Sequence, residues 1–172
     1  MPVKLPIRGP RGPPGMPGDP GRRGDPGEPG LPGHPGESAA NTHKIAFFVG
    51  LQDNLGPVEK DTNIIFDRVV TNVGKAYDEK SGRFTAPVNG TYDFAVTVAA
   101  QGRQKAAVRI VRNGDMIATV WAESIPYWAS ATSNVILHCK KGDAIWLQLL
   151  ERASYLHGYM YSTFTGHILF ED

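Results

Sequence analysis

From residue 43 onward the polar and apolar positions alternate with period two, and no long stretch repeats every three to four residues. Tyr92, Phe94, Val96 and Val98 are separated by Thr91, Asp93, Ala95 and Thr97, which predicts a strand with one apolar face. Val108 and Ile110 alternate in the same way, as do Phe164, Gly166, Ile168 and Phe170. Lys44 to Val49 and Val135 to Cys139 are two further apolar runs. Turn signals fall between them at Lys80-Ser81-Gly82, Asn89-Gly90, Asn113-Gly114-Asp115 and Lys141-Gly142-Asp143. Asn-Gly suits the positive φ angles of a two-residue hairpin, so 107–111 and 116–121 are expected to pair. Short strands at close spacing with Gly-rich turns predict an all-β sandwich or jelly roll. Ile145 to Leu150 is apolar on both faces, and its outer face is expected to pack against a neighbouring subunit.

The first quarter of the chain has a different period. Glycine falls at 9, 12, 15, 18, 21, 24, 27, 30, 33 and 36 without a break, which makes ten Gly-X-Y triplets. Proline fills the third position at 14, 17, 20, 26, 29, 32 and 35. Only glycine fits where three polyproline-II chains meet, so strict period three predicts a collagen triple helix and hence three chains. Thirty residues make a rod of about 90 Å. So short a stem needs help from whatever holds its three chains together. Three segments are therefore expected: a leader at 1–8, a collagen-like stem at 9–38 and a globular head at 42–172. The prolines in third position are substrates for hydroxylation in the secretory pathway, so the chain is expected outside the cell. Met1 to Arg8 lacks the apolar core of a signal peptide, which implies a trimmed chain or another route of export. Arg23-Gly24-Asp25 spells an integrin tripeptide, but within a rod it reads as an interchain ion pair.

Charge removes several functions. Lysine plus arginine is 18 and Asp plus Glu is 17, a net charge of +1. Nothing resembles the concentrated basic surface of a nucleic-acid binder, and no apolar run is long enough to span a membrane. Catalysis finds little support. His138 and Cys139 are neighbours in a predicted strand, so their side chains point to opposite faces and make no nucleophile–base pair. Cys139 is read instead as a buried hydrophobe. The five histidines lack metal-ligand spacing, and no second cysteine exists to complete a zinc site. No cofactor is expected. Asn89-Gly90-Thr91 is the sole N-glycosylation sequon, which makes Asn89 a glycosylation candidate.

Several blocks together resemble the complement C1q family of the C1q and tumour-necrosis-factor superfamily. They are Lys44-Ile45-Ala46-Phe47-Phe48, the run from Phe66 to Asp78, Gly82 to Pro87, Gly90 to Phe94, and Tyr161 to Gly166. The closing block looks most like the cerebellin and C1q-like members. The resemblance implies a ten-strand jelly roll that assembles as a trimer with a collagen rod at its base, and proteins that bind and do not catalyse. Several relatives hold calcium at the trimer apex through aspartates. The corresponding stretch here, Glu123 to Ser130, has Glu123 as its only carboxylate, so the calcium ligands are not evident.

Two groups of residues are the binding candidates. Ile125, Tyr127 and Trp128 either form an apolar apex for a partner or tuck into the subunit or the trimer seam. Arg103, Lys105, Arg109 and Arg112 either form a basic patch for anionic ligands or a solvated face. The expected function is a secreted homotrimeric recognition protein of pattern-recognition type, with extracellular protein, glycan or microbial-surface ligands. The alternative is a matrix, synaptic-organiser or hormone-like protein with one dedicated receptor.

Overall fold

The computed structural model describes residues 8–36 and 43–172. The leader, apart from Arg8, lies outside the described residues, as do Glu37 and Ser38 of the stem and Thr42 of the head. The chain separates into two compact units, 1–38 and 39–172.

In the first unit the described residues form neither helix nor strand, and all are exposed. A Cβ placed on any of its ten glycines meets nothing within 4 Å. Among the described residues no contact explains why glycine recurs there.

Among its described residues the second unit holds eleven strands and no helix. Its eleven strands are β1 (Ala46–Gly50), β2 (Thr62–Asn63), β3 (Arg68–Val73), β4 (Tyr77–Asp78), β5 (Arg83–Thr85), β6 (Gly90–Gln101), β7 (Lys105–Arg112), β8 (Asp115–Glu123), β9 (Trp128–Cys139), β10 (Ala144–Ser154) and β11 (Thr163–Glu171). The first sheet has the order β3-β1-β11-β6-β9; the second runs β4-β5-β10-β7-β8, with β2 also on β10. Every pairing is antiparallel and most join strands distant in sequence, which is a jelly-roll-like sandwich.

The alternation in β6 decides which side chains fill the interior. Tyr92, Phe94, Val96 and Val98 are fully buried between the sheets. Phe47 meets Phe164 edge-on at 4.9 Å, and Phe84 meets Phe94 edge-on at 5.1 Å. Such tilted contacts suit the quadrupoles of aromatic rings.

Asn113 and Gly114 adopt φ of 52° and 95° and close the β7–β8 hairpin. The Asn113 side chain also ties this turn to the next one, donating to Asp143 Oδ1 at 3.0 Å and accepting from Ala144 N at 2.8 Å. Asn89-Gly90 behaves differently. Neither residue has positive φ, and Gly90 instead opens β6 directly beneath the Phe170 carbonyl.

The outer face of β10 departs from expectation. Trp146 and Leu150 are buried by their own chain, so no neighbouring subunit is needed to cover them. The Arg83 guanidinium lies 4.2 Å from the centre of the Trp146 ring, and Leu150 packs with Ala107 and Ala153. Arginine shields an aromatic face well because it stacks flat and keeps its charge in water.

Candidate functional site

The strands of the first sheet run between two distinct ends. At one end Gly90, Cys139 and Glu171 come together, and at the other Gln101 lies opposite Trp128. Twelve residues of β6 put these ends about 36 Å apart. His43 is held at the first end by Glu171 Oε1, 2.8 Å from its Nδ1.

The far end is aromatic. Its β8–β9 connection begins at Ser124, which is fully buried and donates its N–H to the Gln104 carbonyl at 2.9 Å. That anchor pushes the following residues outward: Ile125 is 76% exposed and Tyr127 80%. The Tyr127 carbonyl accepts from Gly102 N at 2.9 Å, which fixes the loop to the β6–β7 turn. Trp128 behaves otherwise. Its ring packs edge-on against Tyr161 at 4.7 Å and His157 at 5.1 Å, and it remains half-exposed. Thus Ile125 and Tyr127 project into solvent, whereas Trp128 belongs to a cluster within the chain.

Tyr155, His157, Tyr159 and Tyr161 complete this end, and sequence reasoning did not single them out as a site. The available signal was an aromatic ring at every second position from 155 to 161. That spacing imitates a strand, but Tyr159 and Met160 have φ of 55° and 64°, which turns the chain. His157 is buried, while the three tyrosines are exposed.

The basic candidates do not converge on one spot. At about 3.3 Å per residue, Lys105 and Arg112 stand roughly 23 Å apart along β7. Arg109 Nη1 lies 3.6 Å from Asp61 Oδ2, and Arg112 Nη1 donates to the His138 carbonyl at 3.2 Å. Lys105 Nζ lies 3.6 Å from Glu123 Oε1. Arg103, at φ 62° in the β6–β7 turn, shares a cleft with Lys105, Arg152 and Tyr155. The structure therefore places Arg103 and Lys105 together and sets Arg109 and Arg112 apart from them.

Glu123, the lone carboxylate of the 123–130 stretch, faces an ammonium. Among the described residues no three acidic, histidine or cysteine side chains gather as a metal site. A hard cation needs several oxygen ligands, so this stretch does not fit the calcium that the resemblance implied.

Asn89 lies at the opposite end and is exposed. Its Oδ1 accepts from Lys141 N at 2.8 Å. Cys139 is buried, and burial pushes its thiol up to about 11. His138 points to the other face, with Nε2 3.5 Å from Asp172 Oδ2, so the adjacent pair forms no catalytic couple.

Residues 46–169 match the model of the C1q domain. The chain belongs to the C1q domain family. The chain is 34% identical over 137 residues to complement C1q tumor necrosis factor-related protein 6 of Rattus norvegicus, covering 77% of this chain and 52% of that protein. It is 33% identical over 132 residues to complement C1q tumor necrosis factor-related protein 3 of Homo sapiens, covering 74% and 52%. The chain thus spans about half the length of these curated relatives. Among solved structures, the globular domain of zebrafish complement 1qA superposes with a TM-score of 0.62 at 19% identity, covering 75% of this chain and 100% of that one. Eiger TNF from S. frugiperda follows the same path with a TM-score of 0.60 at 14% identity, covering 76% and 95%. The all-β, jelly-roll C1q/TNF fold expected from the sequence is the one observed.

Proposed function

We propose that this chain is a secreted recognition protein in which a collagen stem at 9–38 joins three copies and their C1q domains bind ligands multivalently, in innate-immune pattern recognition. The glycine period carries the reading. Ten glycines whose Cβ positions meet nothing among the described residues are accounted for when two further chains lie alongside.

The head supplies a second surface suited to self-association. On the outer face of the first sheet, Ala46, Phe48, Ala95 and Thr165 are half-buried and small or apolar. Ile136, Val70 and Val73 beside them are exposed. Asp93, in register with His167 and Ile136, has a buried Oδ1 without a hydrogen-bond partner among the described residues. Buried oxygens are normally satisfied, so a donor from another copy suits this position. Three weak heads on one rod gain affinity through effective concentration.

Secretion is supported by the collagen period and its seven third-position prolines. Among the described residues no helix is long and apolar enough to cross a membrane. Asn89 is proposed as a glycan-bearing residue, and Ile125 and Tyr127 as ligand contacts at the far end. The domain acts by binding and not by catalysis.

The kinship with C1q tumor necrosis factor-related proteins favours a second reading, an extracellular ligand for one dedicated receptor. A binding screen of the full chain against microbial surfaces, glycans and receptor ectodomains separates the two. Broad binding that weakens sharply in single-headed form supports recognition. One tight protein receptor with no surface binding overturns it.

A further inference from the structure

Two clefts at the far end share a wall made by Gln104 and Tyr155. The first, about 170 Å³, is also lined by Asn54, Gln101 and His157, with no carboxylate, lysine or arginine on it. The Gln101 and Gln104 side-chain amides make no hydrogen bond among the described residues, so each offers both a donor and an acceptor. Asn54 Oδ1 accepts from Gly158 N at 2.8 Å, which leaves Nδ2 free to donate. The walls are held firmly. Leu55 and Leu156 exchange two backbone hydrogen bonds of 2.9 Å. A Cβ on Gly56 would lie 1.6 Å from the Ser154 carbonyl oxygen, and one on Gly158 2.2 Å from the Asp53 carbonyl carbon. Glycine at both positions lets the 53–56 loop press against the end of β10 and the segment that follows it, and a site set before binding loses less to ordering.

The second cleft, also about 170 Å³, carries Arg103, Lys105 and Arg152 against a single carboxylate, Glu151. Lys105 is engaged by Glu123. Arg103 and Arg152 have no ion-pair partner among the described residues, and the Arg152 guanidinium lies 5.7 Å from the centre of the Trp121 ring. Guanidinium forks match the planar or tripodal oxygens of carboxylate and sulfate.

An occupant of both clefts needs a ring with one apolar face for Tyr155, hydroxyls for the amides, and an acidic group within reach of the two arginines. We infer that the joined clefts bind an acidic saccharide, its uncharged ring against Tyr155, Gln101 and Gln104 and its carboxylate or sulfate on Arg103 and Arg152. The inference rests on the recognition reading and names the ligand class and the place.

The test measures full-chain binding to sialyllactose, sulfolactose and lactose, with a wider set of matched acidic and neutral oligosaccharides beside them. One or both acidic forms are expected to bind at least about tenfold tighter than the neutral match, and the two acid arms tell carboxylate from sulfate. Arg103→Ala with Arg152→Ala removes that preference. Tyr155→Ala, or the milder Gln104→Ala, weakens acidic and neutral forms alike. Lys140→Ala with Lys141→Ala, which removes two charges at the other end, leaves the preference intact. Equal binding of matched forms, no binding of any saccharide, or a preference that survives the arginine substitutions overturns the inference. In each of these cases the recognition reading still stands if microbial surfaces bind in the wider screen, and falls with the inference if they do not.

Discussion

The outer faces of the two sheets solve the same problem in opposite ways. The second sheet carries Trp146, Val111 and Leu150 on its outside and buries them within the chain, using Arg83, Ala107 and Ala153 as cover. The first sheet leaves its outside half-open. Phe48 and Ala95 are only partly covered, and Ile136 is exposed. A strand that is apolar on both faces therefore does not by itself mark an interface. The face proposed to meet another copy is the one whose apolar side chains are left unsealed.

Four substitutions and one chemical probe would break or sharpen that contrast, and the first three substitutions bear on it directly. Ala95→Arg, at the middle of the first sheet's outer face, should have the largest effect on assembly. It places a charge where a second copy is proposed to lie, at a cost of about 3–5 kcal/mol per uncompensated site. Cross-linking and light scattering should show single chains that keep the β circular-dichroism spectrum; an intact trimer would remove this face from the seam. Trp146→Ala on the sealed face should cost about 3 kcal/mol of head stability in denaturant unfolding while the trimer persists. Loss of the trimer in that variant would mean that the second sheet also serves the interface. Arg83→Ala uncovers the Trp146 ring and should cost about 0.5–1 kcal/mol, with indole emission shifted to the red. The fourth, Arg83→Lys, keeps the charge but not the flat stacking plane, and should recover only part of that loss. Full recovery would mean that charge alone, and not the guanidinium plane, covers the ring.

The chemical probe reads Cys139. Its thiol is raised by burial to about 11 from an ordinary 9.0. Folding thus favours the protonated form, and the associated stability is complete below pH 9 and falls as pH rises from 9 towards 11. The folded head should resist alkylation at about pH 8 and react promptly once unfolded. Prompt reaction in the native state would place Cys139 outside the core.

How much of this was legible beforehand follows from where the partners sit. Tyr92 to Val98 could be assigned to a buried face because alternation alone decides it, and Asn113-Gly114 because the turn's φ angles are local. The covering of Trp146 was not, since Arg83 lies more than sixty residues earlier and reaches it only once β5 pairs with β10. The basic residues show the same limit. Arg103 and Arg109 are near in sequence, yet the straight run of β7 separates them, while Arg152 joins Arg103 from β10. The aromatic end was half visible. Ile125, Tyr127 and Trp128 stood out as a cluster, but the 155–161 segment imitated a strand until its two left-handed residues turned it.

The central claim is that three chains assemble through the stem and the open face of the first sheet. Sedimentation equilibrium of the full chain at micromolar concentration tests it most directly. The account predicts the mass of three chains, retained on dilution. The mass of a single chain across that range would contradict it.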